Sequence, residues 1–351
     1  MGANDGTIVD ASKLVDHGTA ASCWNLVILA EGYKAAEITK FEDDAKHFIT
    51  ALKATPPFDE FWLVTNVWLI RVASNESGAD HPPSGTQVAT YFDAQFDPSI
   101  QRLLTVDKNL AKTVAANYVP EVHAIFVLVN SPYFGGSGDS VIVFSSAENS
   151  STSSAEIALH ELGHVAFGLA DEYPSWVGCG KADDTNYDFP VGAVSGDAQE
   201  PNVTLDPQAG KWSDLILPWT PLPTTTNADS SKCDPQADPQ PPGTVGAYDG
   251  AIYYHSGAYR PEYECKMRGD WGKPFCAVCR RRIRESLSVF VKCEEPHLIH
   301  EHLVCNRRLR RLVLQLARAD ALHPRLVAEL ENVGINWRRV VRILERVCPR
   351  P

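Results

Sequence analysis

The sequence predicts an α/β (α+β) fold, a twisted mixed sheet flanked by helices, and three observations point to it. The run Trp24 to Leu29 is apolar almost throughout, as in a strand covered on both faces. Ile38, Phe41, Ala45, Phe48, Ile49 and Leu52 recur at three- and four-residue spacing, the stripe of an amphipathic helix. Further strand-like and helical stretches alternate through the first 150 residues, which is the order of a layered α/β domain.

Taken in order, the first strand ends in a turn at Glu31-Gly32-Tyr33, and Pro56-Pro57 stops the helix that follows. Val64 to Val72 reads as a second strand, and Ser74 to Ser84 as a polar Gly/Pro loop. Residues 99 to 118 look helical, and His123 to Val129 is a third strand. Tyr133 to Gly138 reads as a turn leading into the strand Val141 to Phe144, and a helix opens at about Ala155. From Pro174 to about Ala258 the periodicity dissolves into Pro, Gly, Asp and Thr, a stretch long enough to need disulfides or a binding role. Residues 275 to 293 are again helical, and 298 to 348 read as two or three short helices.

Composition limits the function. The 351 residues carry a net charge of -12, which argues against nucleic acid or an anionic membrane as partner. No apolar run reaches the about 20 residues that span a bilayer. Charge is uneven: residues 297 to 351 hold eleven Arg against five Asp or Glu, marking a basic appendix with its own surface for an unknown partner or for the rest of the chain. The expected organisation is a domain over 1–296, with an N-subdomain at about 20–170 and a loop-rich C-subdomain at about 171–296, followed by the basic helical appendix over 297–351. Met1 to Asp5 is polar and no apolar signal region is present. Nine cysteines nevertheless point to a secreted, extracellular protein whose signal has been exchanged for a start Met. Cys23 reads as a buried thiol. Cys179, Cys233, Cys265, Cys276 and Cys279 read as disulfide partners, although Cys265 with Cys276-Ala277-Val278-Cys279 also has the elements of a structural zinc site or redox pair.

The chemistry concentrates in His160-Glu161-Leu162-Gly163-His164. In a helix, positions i and i+4 lie about 40° apart around the axis, so His160 and His164 can offer two nitrogens to one metal. Glu161, rotated about 100° from His160, lies beside the metal and can take a proton from metal-activated water. A catalytic zinc needs a third protein ligand, and Asp171 and Glu172 are the next candidates. In an unbroken helix Asp171 would lie about 10 Å beyond His164. The chain must therefore turn back, and Gly168 permits it. Asp171 is the expected ligand; Glu172 is the alternate, with loop anchoring as its other role. Gly163 permits close approach of another element.

The pattern resembles that of the metzincins, H-E-x-x-H-x-x-G-x-x-H or -D, with Gly168 and Asp171 each one place late. The resemblance implies that Met267, the one methionine besides Met1, is the support on a tight turn beneath the metal and not a ligand. Many metzincins place an oxyanion-donating tyrosine two residues after that methionine. Here the position is Gly269, and Tyr259 and Tyr263 are the remaining candidates, against plain packing roles. His160 to His164 continued by Leu169-Ala170-Asp171-Glu172-Tyr173 is similar to the signature of the IgA-protease-type zinc metallopeptidases. So are Leu29-Ala30-Glu31-Gly32-Tyr33, Asn75-Glu76-Ser77-Gly78-Ala79-Asp80, Phe134-Gly135-Gly136-Ser137-Gly138, and Tyr259-Arg260-Pro261 before Met267. The similarity runs over about residues 24–290. It implies a metzincin-like zincin catalytic domain with an active-site helix, one catalytic Zn2+, and endopeptidase action on protein or peptide substrates, with Glu161 as base. The strand after Gly135-Gly136-Ser137-Gly138 reads either as the sheet edge that pairs with an extended substrate or as part of a plain hairpin turn. Ca2+ binding by the acidic 178–250 loop has no D-x-D-x-D-G loop to support it. The alternatives are a non-catalytic zinc-binding recognition protein that keeps the peptidase fold, and a zinc amidohydrolase acting on small amides.

Overall fold

A computed structural model describes residues 2–147, 153–190, 196–233 and 237–291. The basic appendix expected over 297–351 lies outside them. No described helix is long and apolar enough to cross a membrane.

The elements run β1 (Gly6–Val15), β2 (Trp24–Glu31), α1 (Ile38–Ala54), β3 (Thr65–Ser74), β4 (Gln95–Phe96), β5 (Leu104–Thr105), α2 (Lys108–Tyr118), β6 (Ala124–Val129), β7 (Gly136–Gly138), β8 (Ile142–Ser145), α3 (Ser154–Phe167), β9 (Tyr248–Ala251), β10 (Tyr254–Arg260) and α4 (Ala277–Leu287). Six strands form one mixed sheet in the order β1-β3-β2-β6-β8-β7. The inner four are parallel, and β1 and β7 pair antiparallel at the two edges. All eight residues of β2 are buried, as its composition requires of a central strand. The stripe on α1 is buried at Phe41, Ala45, Phe48, Ile49 and Leu52, while Ile38 at its start is half-buried. Phe48 meets Phe126 and Phe144 of the sheet at ring distances of 4.9 and 4.8 Å.

Several expectations need correction. The helix expected over 99–118 occupies Lys108–Tyr118 alone, because Asp107 caps it, accepting from Asn109 and Leu110 N–H groups, while Leu104–Thr105 pairs with Gln95–Phe96. Gly136–Gly138 is a strand and not a turn. It forms the sheet edge, and the strand after it, β8, lies between β6 and β7. Glycine is required there: a Cβ at Gly136 would stand 2.6 Å from the Val143 carbonyl oxygen and 2.7 Å from Ile157 Cγ2. The strand β1 carries no continuous apolar pattern and was not anticipated.

The stretch after Pro174 is mostly irregular but contains the hairpin β9–β10. A disulfide joins Cys179 to Cys233. Lys211 gathers the Ala198, Glu200 and Val203 carbonyls, and a small core of Ala170, Val203, Ala251 and Ala258 lies among these segments. Cys265, Cys276 and Cys279 are free thiols, contrary to the disulfide expectation. Cys276 caps α4, Cys279 lies in its first turn, and both converge with Cys265 on one point, so the three do not pair off.

Candidate metal centre

The helix α3 starts at Ser153, whose hydroxyl accepts from the Ala155 N–H, and buries Ile157, Ala158, Leu159 and Leu162. That burial fixes its rotation, so that His160 and His164 project together, their Nε2 atoms 3.1 Å apart. The helix ends at Gly168, in the left-handed region at φ 63°. The Leu169 N–H then bonds back to the Gly163 carbonyl, and the chain reverses. Asp171 returns to the histidines, its Oδ1 3.0 Å from His160 Nε2 and 3.1 Å from His164 Nε2.

Three atoms thus form a nearly equilateral triangle. Ligands about 2.0–2.1 Å from one tetrahedral ion stand about 3.3 Å apart, so the triangle has the size of a metal-ligand face. The tautomers agree. His160 Nδ1 donates to the Lys266 carbonyl at 2.9 Å and His164 Nδ1 to the Leu169 carbonyl at 2.6 Å. Each ring, when neutral, turns a bare Nε2 lone pair toward the other and toward a carboxylate. Three acceptors facing one another require a positive charge between them. Burial opposes charge on His164, but the hydrogen bond and charge of Asp171 outweigh it and push the imidazole up to about 9. Burial likewise works to raise Asp171, and the two histidines hold it well below the carboxylate range. His160, His164 and Asp171 therefore suit a divalent metal. His164, whose side chain is 24% exposed against 7% for the other two, marks the open side.

The surroundings lock these ligands. Tyr253 Oη donates to Asp171 Oδ2, and burial, with the Asp171 charge beside it, pushes the phenol further up so that it stays a donor. Tyr253 reaches this place from the two-residue turn between β9 and β10, where Ile252 and Tyr253 both take positive φ. Their N–H groups bond to the Asp171 and Tyr173 carbonyls. Asn202 brackets Ala170, accepting from its N–H at 2.8 Å and donating to its carbonyl at 2.9 Å. Met267 is fully buried on the turn Lys266–Arg268, with Sδ 2.5 Å from where a Cβ on Gly163 would stand. Its carbonyl accepts from the Glu172 N–H, while the neighbouring Lys266 carbonyl orients His160. This one turn supports both the helix and the returning strand of chain.

Glu161 faces the edge strand: a Cβ on Gly138 would come within 2.4 Å of its Oε2. Trp271 and Tyr173 flank His160 at ring distances of 5.8 and 6.4 Å. The remaining candidates lie elsewhere. Glu172 is fully buried and bonds to Asn202 and Cys279 instead of the histidines. Tyr259 pairs through its backbone with Thr204 in β10. Tyr263 meets Tyr248 edge-to-face and lies beneath the Arg260 and Arg268 guanidinium groups. Sequence reasoning missed Tyr253, Asn202 and Gly138; Tyr253 lies on a hairpin turn without the Asn-Gly signal that announces such turns.

The family model described as IgA Peptidase M64 matches residues 12–237 and 233–287 of the chain. No curated protein matches it.

Proposed function

The chain belongs to the IgA peptidase M64 family and is a peptidase, and from that premise we propose that it is a zinc-dependent metalloendopeptidase with Glu161 as general base. The observation that carries the reading is the convergence of His160 Nε2, His164 Nε2 and Asp171 Oδ1 at 3.0–3.1 Å, with both Nδ1 atoms committed to carbonyls. A zinc ion held by these three residues supplies a Lewis acid and lowers the pKa of its water toward about 7. The protein's own groups do the rest. The Glu161 carboxylate, held between α3 and Gly138, accepts the proton of the attacking water and returns it to the leaving amine. Tyr253 and the carbonyls of Lys266 and Leu169 keep the ligand atoms in place. The metzincin likeness is supported by Gly168 and by Met267 packed under Gly163.

The edge strand β7 next to Glu161 suits an extended peptide. The Gly136 N–H already donates to the Arg102 carbonyl at 2.9 Å, so pairing would fall at Ser137–Gly138. An exported location belongs to the same proposal, supported by the disulfide Cys179–Cys233.

The test is digestion of a peptide library and a denatured protein by the wild type, Glu161→Gln and Asp171→Ala, with zinc measured on each. Expected are cleavage by the wild type, loss of about 10²–10⁴-fold in Glu161→Gln with zinc retained, and in Asp171→Ala loss of cleavage together with the zinc of this centre. Equal inertness of all three would return the recognition-protein reading, and cleavage restricted to small amides would return the amidohydrolase.

A further inference from the structure

One residue past Asp171, Glu172 enters a second group of ligand-type side chains. The sulfurs of Cys265, Cys276 and Cys279 and a Glu172 carboxylate oxygen all lie within 4.8 Å of one another. All four residues are buried, none more than 1% exposed. Cys265 Sγ is 3.9 Å from Cys279 Sγ. Glu172 Oε1 is 3.2 Å from Cys279 Sγ and 3.6 Å from Cys276 Sγ. With Zn–S about 2.3 Å and Zn–O about 2.1 Å, tetrahedral geometry sets S···S near about 3.8 Å and S···O near about 3.6 Å.

Independent features also point to an ion. Glu172 Oε2 is buried with no hydrogen-bond partner, an acceptor that a protein rarely leaves unsatisfied. Backbone N–H groups are aimed at sulfur: those of Met267 and Cys276 at Cys265 Sγ, at 3.4 and 3.2 Å, and that of Cys279 at Cys276 Sγ, at 3.4 Å. Such donors favour thiolate over thiol. Cys276 caps α4 and Cys279 lies in its first turn, where a helix favours negative charge. Three thiolates select zinc over calcium or magnesium. An odd number of thiols cannot all be satisfied by disulfides, whereas one ion accounts for every member of the group.

We propose that Cys265, Cys276, Cys279 and Glu172 form a closed structural Zn2+ site, distinct from the His160–His164–Asp171 centre. Binding forms three Zn–S bonds and one Zn–O bond, and any thiol protons pass to solvent. The ion joins the segments that carry the first centre. Glu172 adjoins the ligand Asp171. Cys265 opens the turn whose next two residues orient His160 and pack under Gly163. Cys276 and Cys279 bring in α4.

The test uses the full chain. Elemental analysis is expected to give two zinc per wild-type chain, one in His160→Ala/His164→Ala and one in Cys276→Ser/Cys279→Ser. Cobalt(II) loaded into the His160→Ala/His164→Ala protein is expected to show thiolate-to-cobalt charge-transfer absorption. Cys279→Ser added to that protein weakens the band, and replacing Cys293, Cys305 and Cys348 together by Ser leaves it unchanged. If the cysteine variants do not fold, the histidine double variant still decides. No metal and no thiolate band in it, a band that depends on Cys293, Cys305 or Cys348, or a disulfide among Cys265, Cys276 and Cys279 in the unreduced protein would overturn the proposal.

Discussion

At the residue scale the centre depends on the partners of its ligands as much as on the ligands. Tyr253 holds the second oxygen of Asp171, and Tyr253→Phe keeps the ring packed on Tyr173 while removing that donor. Partners of this kind contribute about 10–100-fold to metal affinity. Tyr253→Phe is therefore expected to lose its metal to a competing chelator at about 10–100-fold lower chelator concentration, with unchanged circular dichroism. Coincident chelator titrations would reduce the tyrosine to packing. Gly163→Ala tests the floor, because its Cβ would stand 2.5 Å from Met267 Sδ. Overpacking of this kind costs about 1–3 kcal/mol, and the flexible end of Met267 places it toward the lower figure, measurable as a lower midpoint in urea. The histidines and Glu161 are legible in the sequence because one helical turn brings them together. Asp171 is legible because Gly168 marks where the helix must end. Tyr253 and Asn202 are not, since they reach the site across 82 and 32 residues and leave no local spacing.

At the element scale the edge strand β7 and the helix α3 meet at Gly138, where a methyl group would collide with the Glu161 carboxylate. Gly138→Ala is expected to lower kcat by about 10²-fold or more while zinc content stays at the wild-type value, the signature of a displaced base. Unchanged kcat would show that Glu161 moves freely beside β7. Gly168 acts differently: a Cβ there meets nothing within 4 Å, so the cost of Gly168→Ala comes from φ 63° alone. It is expected at about 1–2 kcal/mol in chemical denaturation, partly restored in Gly168→Asn, because asparagine tolerates that region. These glycines explain which elements were legible. Strands buried on both faces, such as β2, declare themselves by composition. The strand β7 is Gly-Ser-Gly and reads as a turn, because its neighbours exclude the side chains that would identify it. Exposed β1 carries register shifts at Ile8/Asp10 and Lys13/Val15, and these break the alternation a reader would follow. The hairpin β9–β10 lacks a glycine-based turn, and the spacing of Cys265, Cys276 and Cys279 serves disulfide pairing as well as convergence on an ion.

At the scale of the whole molecule, motifs distant in sequence meet around the end of the central strand. Gly32, just after β2, exchanges contacts with Gly78: the Gly78 N–H bonds to the Gly32 carbonyl at 3.0 Å, and a Cβ on Gly32 would collide with the Gly78 carbonyl oxygen. Glu31, the last residue of β2, is fully buried and accepts from the Phe92 and Ala94 N–H groups at 2.9 and 3.0 Å, tying that loop to the sheet. Burial penalises the charged form more than these bonds favour it, and the carboxyl is pushed up to about 7 from an ordinary 4.5. The sign follows from linkage. Below about 4.5 the group is neutral in both the folded and unfolded chain. Between about 4.5 and 7 the unfolded chain releases the proton and the folded chain keeps it, so unfolding is favoured as pH rises. Above 7 both are charged and the loss is complete, on the order of 3 kcal/mol. Glu31→Gln removes the titration; the amide keeps one acceptor, so its own penalty is a constant offset. Urea midpoints from pH 4 to 8 are expected to fall more steeply for the wild type than for Glu31→Gln, with the divergence confined to about pH 4.5–7. Parallel profiles would show that Glu31 titrates alike in both states and that its two N–H bonds, not burial, govern its charge.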